Sequence, residues 1–177
     1  MGVITKRGDE GESDLLFGRR VAKDSCRMEA LGAVDELNAA LGMARTSGLG
    51  ADAEEAIDGI QSRLIALMGQ LACRPEDVEH YDNAGFSGVG GADVAWLEDL
   101  AGKLEATGAN PHVWARPGSE GRMGAAALDL ARSIARRAER RVWTVHRDDG
   151  PLPEELRIFL NRLSDVLWLM AREAGKE

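Results

Sequence analysis

Long apolar runs are missing from this 177-residue chain: none approaches the roughly 18 residues of a membrane span, and only Met1 and Gly2 precede Val3-Ile4. Neither a signal peptide nor an anchor is visible, and a cytoplasmic protein is expected. Cysteine is scarce. Cys26 and Cys73 both fall within helical patterns, where the role of a small buried hydrophobe outweighs a disulfide or a metal ligand. A basic surplus is missing too: 22 Lys and Arg face 30 Asp and Glu, a net charge of −8, which argues against broad nucleic-acid binding because a phosphate backbone demands a basic field. A local anion site stays open. The three histidines, His80, His112 and His146, are not spaced to gather round a metal.

Several motifs are only echoed. "GVGGAD" has Asp93 where a dinucleotide fingerprint needs its third glycine, and no strand precedes it. "HRDD" at 146 to 149 lacks the rest of a kinase site, and Gly102-Lys103 lacks the upstream glycine of a P-loop.

What is present is helical periodicity, in a length that suits one domain with one substantial core. Ala30, Val34, Leu37, Leu41 and Ala44 recur at threes and fours behind Asp24 or Ser25, either of which can cap the helix, and Gly48 and Gly50 follow. Ile57, Ile60, Leu64, Leu67, Met68 and Leu71 repeat the pattern up to Pro75, after which "YDNAGFSGVGG" at 81 to 91 is too rich in glycine to be regular. A shorter helix carries Val94, Leu97, Leu100 and Leu104. Beyond the irregular stretch 107 to 121, a long helix has the stripe Ala127, Ala131, Ile134, Ala138, Val142 and Val145. "DDGPLP" breaks it. The last helix has Pro153 at its start, Glu154 and Glu155 on its N-terminal dipole, and Leu156, Leu160, Leu163, Leu167 and Met170 inside. The sum is an all-α bundle of five helices with antiparallel neighbours, preceded by the non-helical "ITKRGDEGESDLLFG".

Charges on this frame are not scattered. Asp129, Arg132, Arg136, Glu139 and Arg140 are expected on one face of the fourth helix, opposite the alanines, where a solvated salt-bridged face is the plain alternative to a ligand site. Asn161 and Asp165 lie one turn apart on the last helix, with Arg157 a turn earlier. Asp35 flanks the apolar stripe of the first helix and wants a cationic partner, for which Arg132 is the natural candidate. In the opening segment Gly8 and Gly11 let backbone N–H groups turn toward a ligand, Thr5 and Ser13 supply hydroxyls, and Lys6 and Lys23 supply cations, a set that suits a polyphosphate. A disordered tail is the plain alternative.

Three segments in the right order, "TKRGDEGESDLLFGRRVAKDSCRMEALGAVDELNAALG" at 5 to 42, "RRAER" at 136 to 140 and "NRLSDVLW" at 161 to 168, closely resemble the ATP:cob(I)alamin adenosyltransferases of the propanediol-utilisation type. That resemblance spans nearly the whole chain. It implies a ferritin-like bundle over residues 24–174 in a homotrimer, with ATP bound between subunits by the loop 1–23 and the arginine-rich helix. Carried over by position, the ATP contacts fall on Thr5, Lys6, Arg7, Gly8, Ser13, Asp14, Lys23, Arg136, Arg137, Ala138, Glu139, Arg140 and Asn161. Asp35 and Arg132 match a salt bridge near the corrinoid. The implied reaction transfers the 5′-deoxyadenosyl group of ATP to cob(I)alamin and expels triphosphate, with Lys6, Lys23, Arg136 and Mg²⁺ stabilising the leaving group. A cobalt-reducing flavoprotein and an adenosylcobalamin-dependent enzyme are the implied protein partners.

Departures from that family concentrate on the corrinoid side. Trp114 stands at the phenylalanine of the family's Phe-x-x-Pro-Gly-Gly, in the longer "WARPGSEGRMG", and is expected to act as an aromatic wedge on the lower face of the corrin. Asp129 replaces a frequent histidine, Trp168 a phenylalanine, and Ser13 a threonine that shares its hydroxyl. Two other classes remain open: a non-catalytic relative that binds ATP or cobalamin as carrier or sensor, and a helical interaction module.

Overall fold

The computed structural model describes residue 4 and residues 6–108 and 115–176. A short antiparallel hairpin, β1 (Glu12–Asp14) and β2 (Arg20–Ala22), opens the chain. Six helices follow: α1 (Cys26–Arg45), α2 (Ala51–Ala72), α3 (Val78–Asn83), α4 (Gly91–Glu105), α5 (Met123–Asp148) and α6 (Glu154–Ala174).

Five helices are expected from periodicity and six form among the described residues. The addition is α3, for which the glycine-rich run from 81 is too pessimistic a signal. Pro75 starts a 3₁₀ turn rather than ending all helix, and Tyr81 then anchors the short α3: it is buried, and its hydroxyl donates to Ser87 O at 2.7 Å. The chain breaks only at Gly85, in the left-handed region at φ 71°. The opening segment also differs from a plain loop. Glu12 pairs with Ala22, Ser13 with Val21 and Asp14 with Arg20, around a tight turn at Leu16–Gly18 in which Phe17 has φ 55°.

Helix α5 lies between α1 and α6, α2 packs on the far side of α1, and α4 on α6. Alanines make this sandwich close. Ala127, Ala131, Ala135 and Ala138 are buried along α5, while α6 fills the space they leave with Leu156, Phe159, Leu160, Leu163 and Leu167. α1 and α2 add Leu37, Leu41, Ile57, Ile60, Leu64, Leu67 and Leu71 to the same core. α2 and α4 meet where α2 lacks a side chain, since a Cβ on Gly59 would lie 2.8 Å from the Trp96 ring. Arg63 covers that ring at 3.8 Å and pairs with Asp93 at 3.0 Å.

Ser25 is the cap of α1, accepting from Met28 N at 3.4 Å. One turn on, the wholly buried Arg27 ties three elements together: Nε donates to Asp149 at 2.6 Å, and Nη1 to the carbonyls of Leu71 and Cys73 at 2.7 and 2.9 Å. It satisfies carbonyls that the end of α2 leaves open. Cys73 is buried, Cys26 half-buried, and burial pushes both thiols above their usual range. Arg27→Met keeps most of the volume yet strands those carbonyls, so it is expected to cost about 3 kcal/mol, read as a lowered urea midpoint with unchanged slope.

Candidate functional site

The hairpin is held by charge at both ends. Asp14 accepts from Arg7 at 3.1 Å and Arg20 at 2.9 Å, Arg20 also reaches Glu12 at 2.9 Å, and its Nη2 donates to Arg7 O at 2.9 Å. Arg19 makes a two-pronged pair with Asp77, both contacts at 2.7 Å, and Phe17 stacks on His80 with centroids 4.0 Å apart. These contacts fix the hairpin at the end of the bundle where α1 begins. There Lys23 meets the loop: a Cβ on Gly8 would lie 2.9 Å from Lys23 Nζ, and Lys23 N donates to Gly11 O at 2.9 Å. Gly8 and Lys23 thus come together, with Lys6, held at φ 59°, and Ser13 on the same hairpin segment. Arg19 and Arg20 carry this geometry and are absent from the residues singled out by sequence. The opposed charges of "ESD" and "RVA" either side of a tight turn were the available signal.

On α5, Arg132, Arg136, Glu139 and Arg140 fall within about 100° of arc at 3.6 residues per turn. Asn161 of α6 donates to Glu139 at 3.1 Å and accepts from Arg162 at 2.9 Å, which joins the two helices at this stripe. Arg140 donates to Arg136 O at 2.9 Å. Among the described residues, Lys6, Lys23, Arg136 and Arg140 have no carboxylate partner, whereas the neighbouring Arg7, Arg19, Arg20, Arg137, Arg141 and Arg147 are each paired.

Three expectations are corrected. Ala138 is fully buried in the core, so its side chain has no surface to offer a nucleotide. Asp129 does not share the open face; it is 4% exposed and pairs with Arg172 and, at 3.3 Å, with Arg132. Within one chain Arg132 therefore pairs with Asp129 and not with Asp35, which is exposed and has no ion pair among the described residues. Pairs between Glu29 and Arg141 and between Glu36 and Arg137 mark the register of α1 on α5 and place Arg132 about a turn and a half past Asp35. Arg137 is accordingly a tie to α1 rather than a free cation. Thr5 and Trp114 lie outside the described residues.

The two groups of free cations are not adjacent in one chain. Arg27 pairs with Asp149, so the hairpin end of α1 is level with the end of α5, while Arg136 sits thirteen residues back, about 20 Å along the axis. Comparison with known proteins places this arrangement. The family model for cobalamin adenosyltransferase matches residues 3–174. This chain belongs to the cobalamin adenosyltransferase family. It is 32% identical over 170 residues to a corrinoid adenosyltransferase of Citrobacter freundii, covering 96% of this chain and 93% of that one. Against corrinoid adenosyltransferase PduO of Salmonella typhimurium it is 32% identical over 176 residues, 97% of this chain but about half of the relative, 49%. In structure it is similar to a variant PduO-type ATP:corrinoid adenosyltransferase from Lactobacillus reuteri complexed with cobalamin and ATP, with TM-score 0.87, 28% identity and coverage of 98% and 93%.

In this adenosyltransferase the hairpin anchor titrates. Hydrogen bonding to and attraction by Arg19 hold the Asp77 carboxyl below its usual range. A carboxyl with a depressed folded pKa stabilises the fold above its unfolded value, near 4, and that contribution is lost as pH falls through the folded value. Asp77→Asn is therefore expected to be less stable than the parent at pH 7, with the gap closing below about pH 4, measured by urea unfolding across that range.

Proposed function

We propose that this chain, as a single domain, is an ATP:corrinoid adenosyltransferase that moves the 5′-deoxyadenosyl group of ATP onto cob(I)alamin. The observation that carries the reading is the pair of cation sets left without carboxylates, Lys6 with Lys23 and Arg136 with Arg140, the latter beside the Glu139–Asn161 contact. Cobalt(I) supplies an electron pair to the 5′ carbon; the cobalt–carbon bond forms as the carbon–oxygen bond breaks, and triphosphate departs with the electrons of that bond. Charge grows on the leaving oxygen, where fixed guanidinium and ammonium groups stabilise it more than they stabilise bound ATP. No proton is transferred, so the step needs no general base.

Mg²⁺ supplies further charge neutralisation when bound to the triphosphate. Asp14 and Glu139 are already held by Arg7, Arg20 and Asn161, so in this reading the ion enters with its nucleotide rather than on those carboxylates. The gap between the two cation sets along the axis, about 14 Å to Arg140 and about 20 Å to Arg136, supports a site completed by a second copy of the chain, and the family resemblance supplies the number, a homotrimer. Thr5 belongs to the triphosphate loop in this reading, and Trp114, Asp35 and Arg132 to the corrinoid side. No described helix is long and apolar enough to cross a membrane; the reading places the reaction in the cytoplasm, between a flavoprotein that reduces cobalt and an enzyme that uses adenosylcobalamin.

Mixing the protein with reduced cobalamin and Mg-ATP is expected to give the visible spectrum of adenosylcobalamin together with free triphosphate. ATP binding without that spectrum would make the protein a carrier or sensor. Arg136→Ala removes charge-assisted hydrogen bonds worth about 1.5–3 kcal/mol each, so turnover is expected to fall at least tenfold with the melting temperature unchanged. Light scattering should give three chains per particle, and a fully active monomer would overturn the shared site.

A further inference from the structure

The strands of the hairpin, Glu12–Asp14 and Arg20–Ala22, offer only Val21 and Ala22 as apolar side chains and pack chiefly on one another. A two-stranded ribbon of that size is not stable by itself, so its place on the bundle is decided by what grips its turn. Leu15 buries one side chain there. Phe17 is held in the left-handed region at φ 55°, a conformation that a bulky residue keeps only where its surroundings enforce it. What the ring gains is the stack on His80 of α3 at 4.0 Å, with Phe86 edge-on at 6.1 Å. Arg19, two residues on, reaches the same part of the bundle through both oxygens of Asp77.

Asp77 is itself well held. Its N–H donates to Arg74 O at 2.9 Å, and Arg74 pairs at 3.3 Å with Asp149, the carboxylate on which the buried Arg27 also closes. The Asp77 side chain is 11% exposed and that of Arg19 46%, so the anchor stands on the bundle and the hairpin comes to it. A two-pronged guanidinium–carboxylate pair fixes angle as well as distance. Contacts run unbroken from the core through Arg27, Asp149, Arg74 and Asp77 to Arg19, and the pairing of the strands carries that placement on to Ser13 and Asp14.

We infer that Asp77 is a positioning residue for the nucleotide: its grip on Arg19, steadied by the Phe17–His80 stack, sets the fraction of time for which the hairpin presents Lys6, Gly8 and Lys23 in the arrangement that receives the triphosphate. The inference rests on the nucleotide reading above and extends it to residues that touch no ligand. A site competent for only part of the time binds with a Kd raised in proportion, yet turns over normally once ligand has selected the competent arrangement. Loss of the anchor therefore falls on ATP affinity and spares both turnover at saturation and the corrinoid.

The test follows Mg-ATP binding by calorimetry and adenosylation of cob(I)alamin by absorbance in the parent, Arg19→Ala, Arg19→Lys, Asp77→Asn and the Arg19→Ala, Asp77→Asn double variant. Arg19→Ala and Asp77→Asn are each expected to raise the Kd and KM of ATP about tenfold, with kcat and the KM of cob(I)alamin within about twofold of the parent. Arg19→Lys, which keeps the charge without the fork, should lie between, and the double variant should be no worse than either single one, because both remove one contact. Unchanged ATP affinity in Arg19→Ala would overturn the inference and leave the nucleotide reading intact. Losses that add in the double variant, or that fall on kcat, would also overturn it by assigning the two residues to separate structural roles. Should Asp77→Asn not fold, Arg19→Ala decides alone, since its side chain is half exposed. A parent that binds no ATP would overturn the nucleotide reading and the inference with it.

Discussion

Helix α5 must be narrow on two sides before it can be charged on a third. Alanine dominates the middle of its buried face, where Ala131, Ala135 and Ala138 are wholly buried, with Leu128, Val142 and Val145 buried on either side of them. A methyl group lets two helix axes approach closely, and the larger side chains of α6 then fill the groove without voids. With α1 and α6 both tight against it, the remaining surface of α5 has a fixed direction. Arg132, Arg136, Glu139 and Arg140 inherit that direction, so the side chains of the candidate site are aimed by alanines that touch no ligand.

Fixing direction is only half of what an anion site needs in an acidic protein. With eight negative charges in excess, most basic side chains find carboxylates nearby, and the ion pairs around the hairpin and along α1 show it. A cation kept free in such a setting is kept so by geometry. Arg20 takes Glu12 and Asp14 away from Lys6, and Asn161 takes Glu139 away from Arg136 and Arg140 through a neutral amide. The exposed acidic surface acts at longer range and is screened within about 10 Å at ordinary ionic strength, whereas fixed cations in contact with a phosphate are not.

The helices were legible in the sequence because burial forces a 3.6-residue period on residues such as Ile57, Ile60, Leu64, Leu67 and Leu71. α3 was not, since six residues show less than two turns of periodicity and it is a single buried Tyr81 that secures them. The hairpin escaped for a related reason: strands of three residues carry no alternation to read, and their register is set by ion pairs and by Phe17 on His80. In the candidate site, residue types and helix faces were legible for Lys23, Arg136, Arg140 and Asn161. Partners were not. Which carboxylate holds which guanidinium depends on how helices slide past one another, and a wheel drawn for one helix contains no such information.

Arg132 shows what decides that choice. Asp35 and Asp129 both suit it by charge, but Asp35 is exposed and Asp129 is 4% exposed. Water satisfies an exposed carboxylate at little cost, while a buried one has no such alternative and demands cations, here Arg172 and Arg132 together. The attraction is also stronger where the surroundings are less polarisable. Arg132 therefore stays with Asp129 so long as Asp35 is hydrated. Covering Asp35 would remove that hydration and make its carboxylate the competitor, so the pairing of Arg132 is set by whatever closes over the middle of α1 rather than by either aspartate's position in the chain.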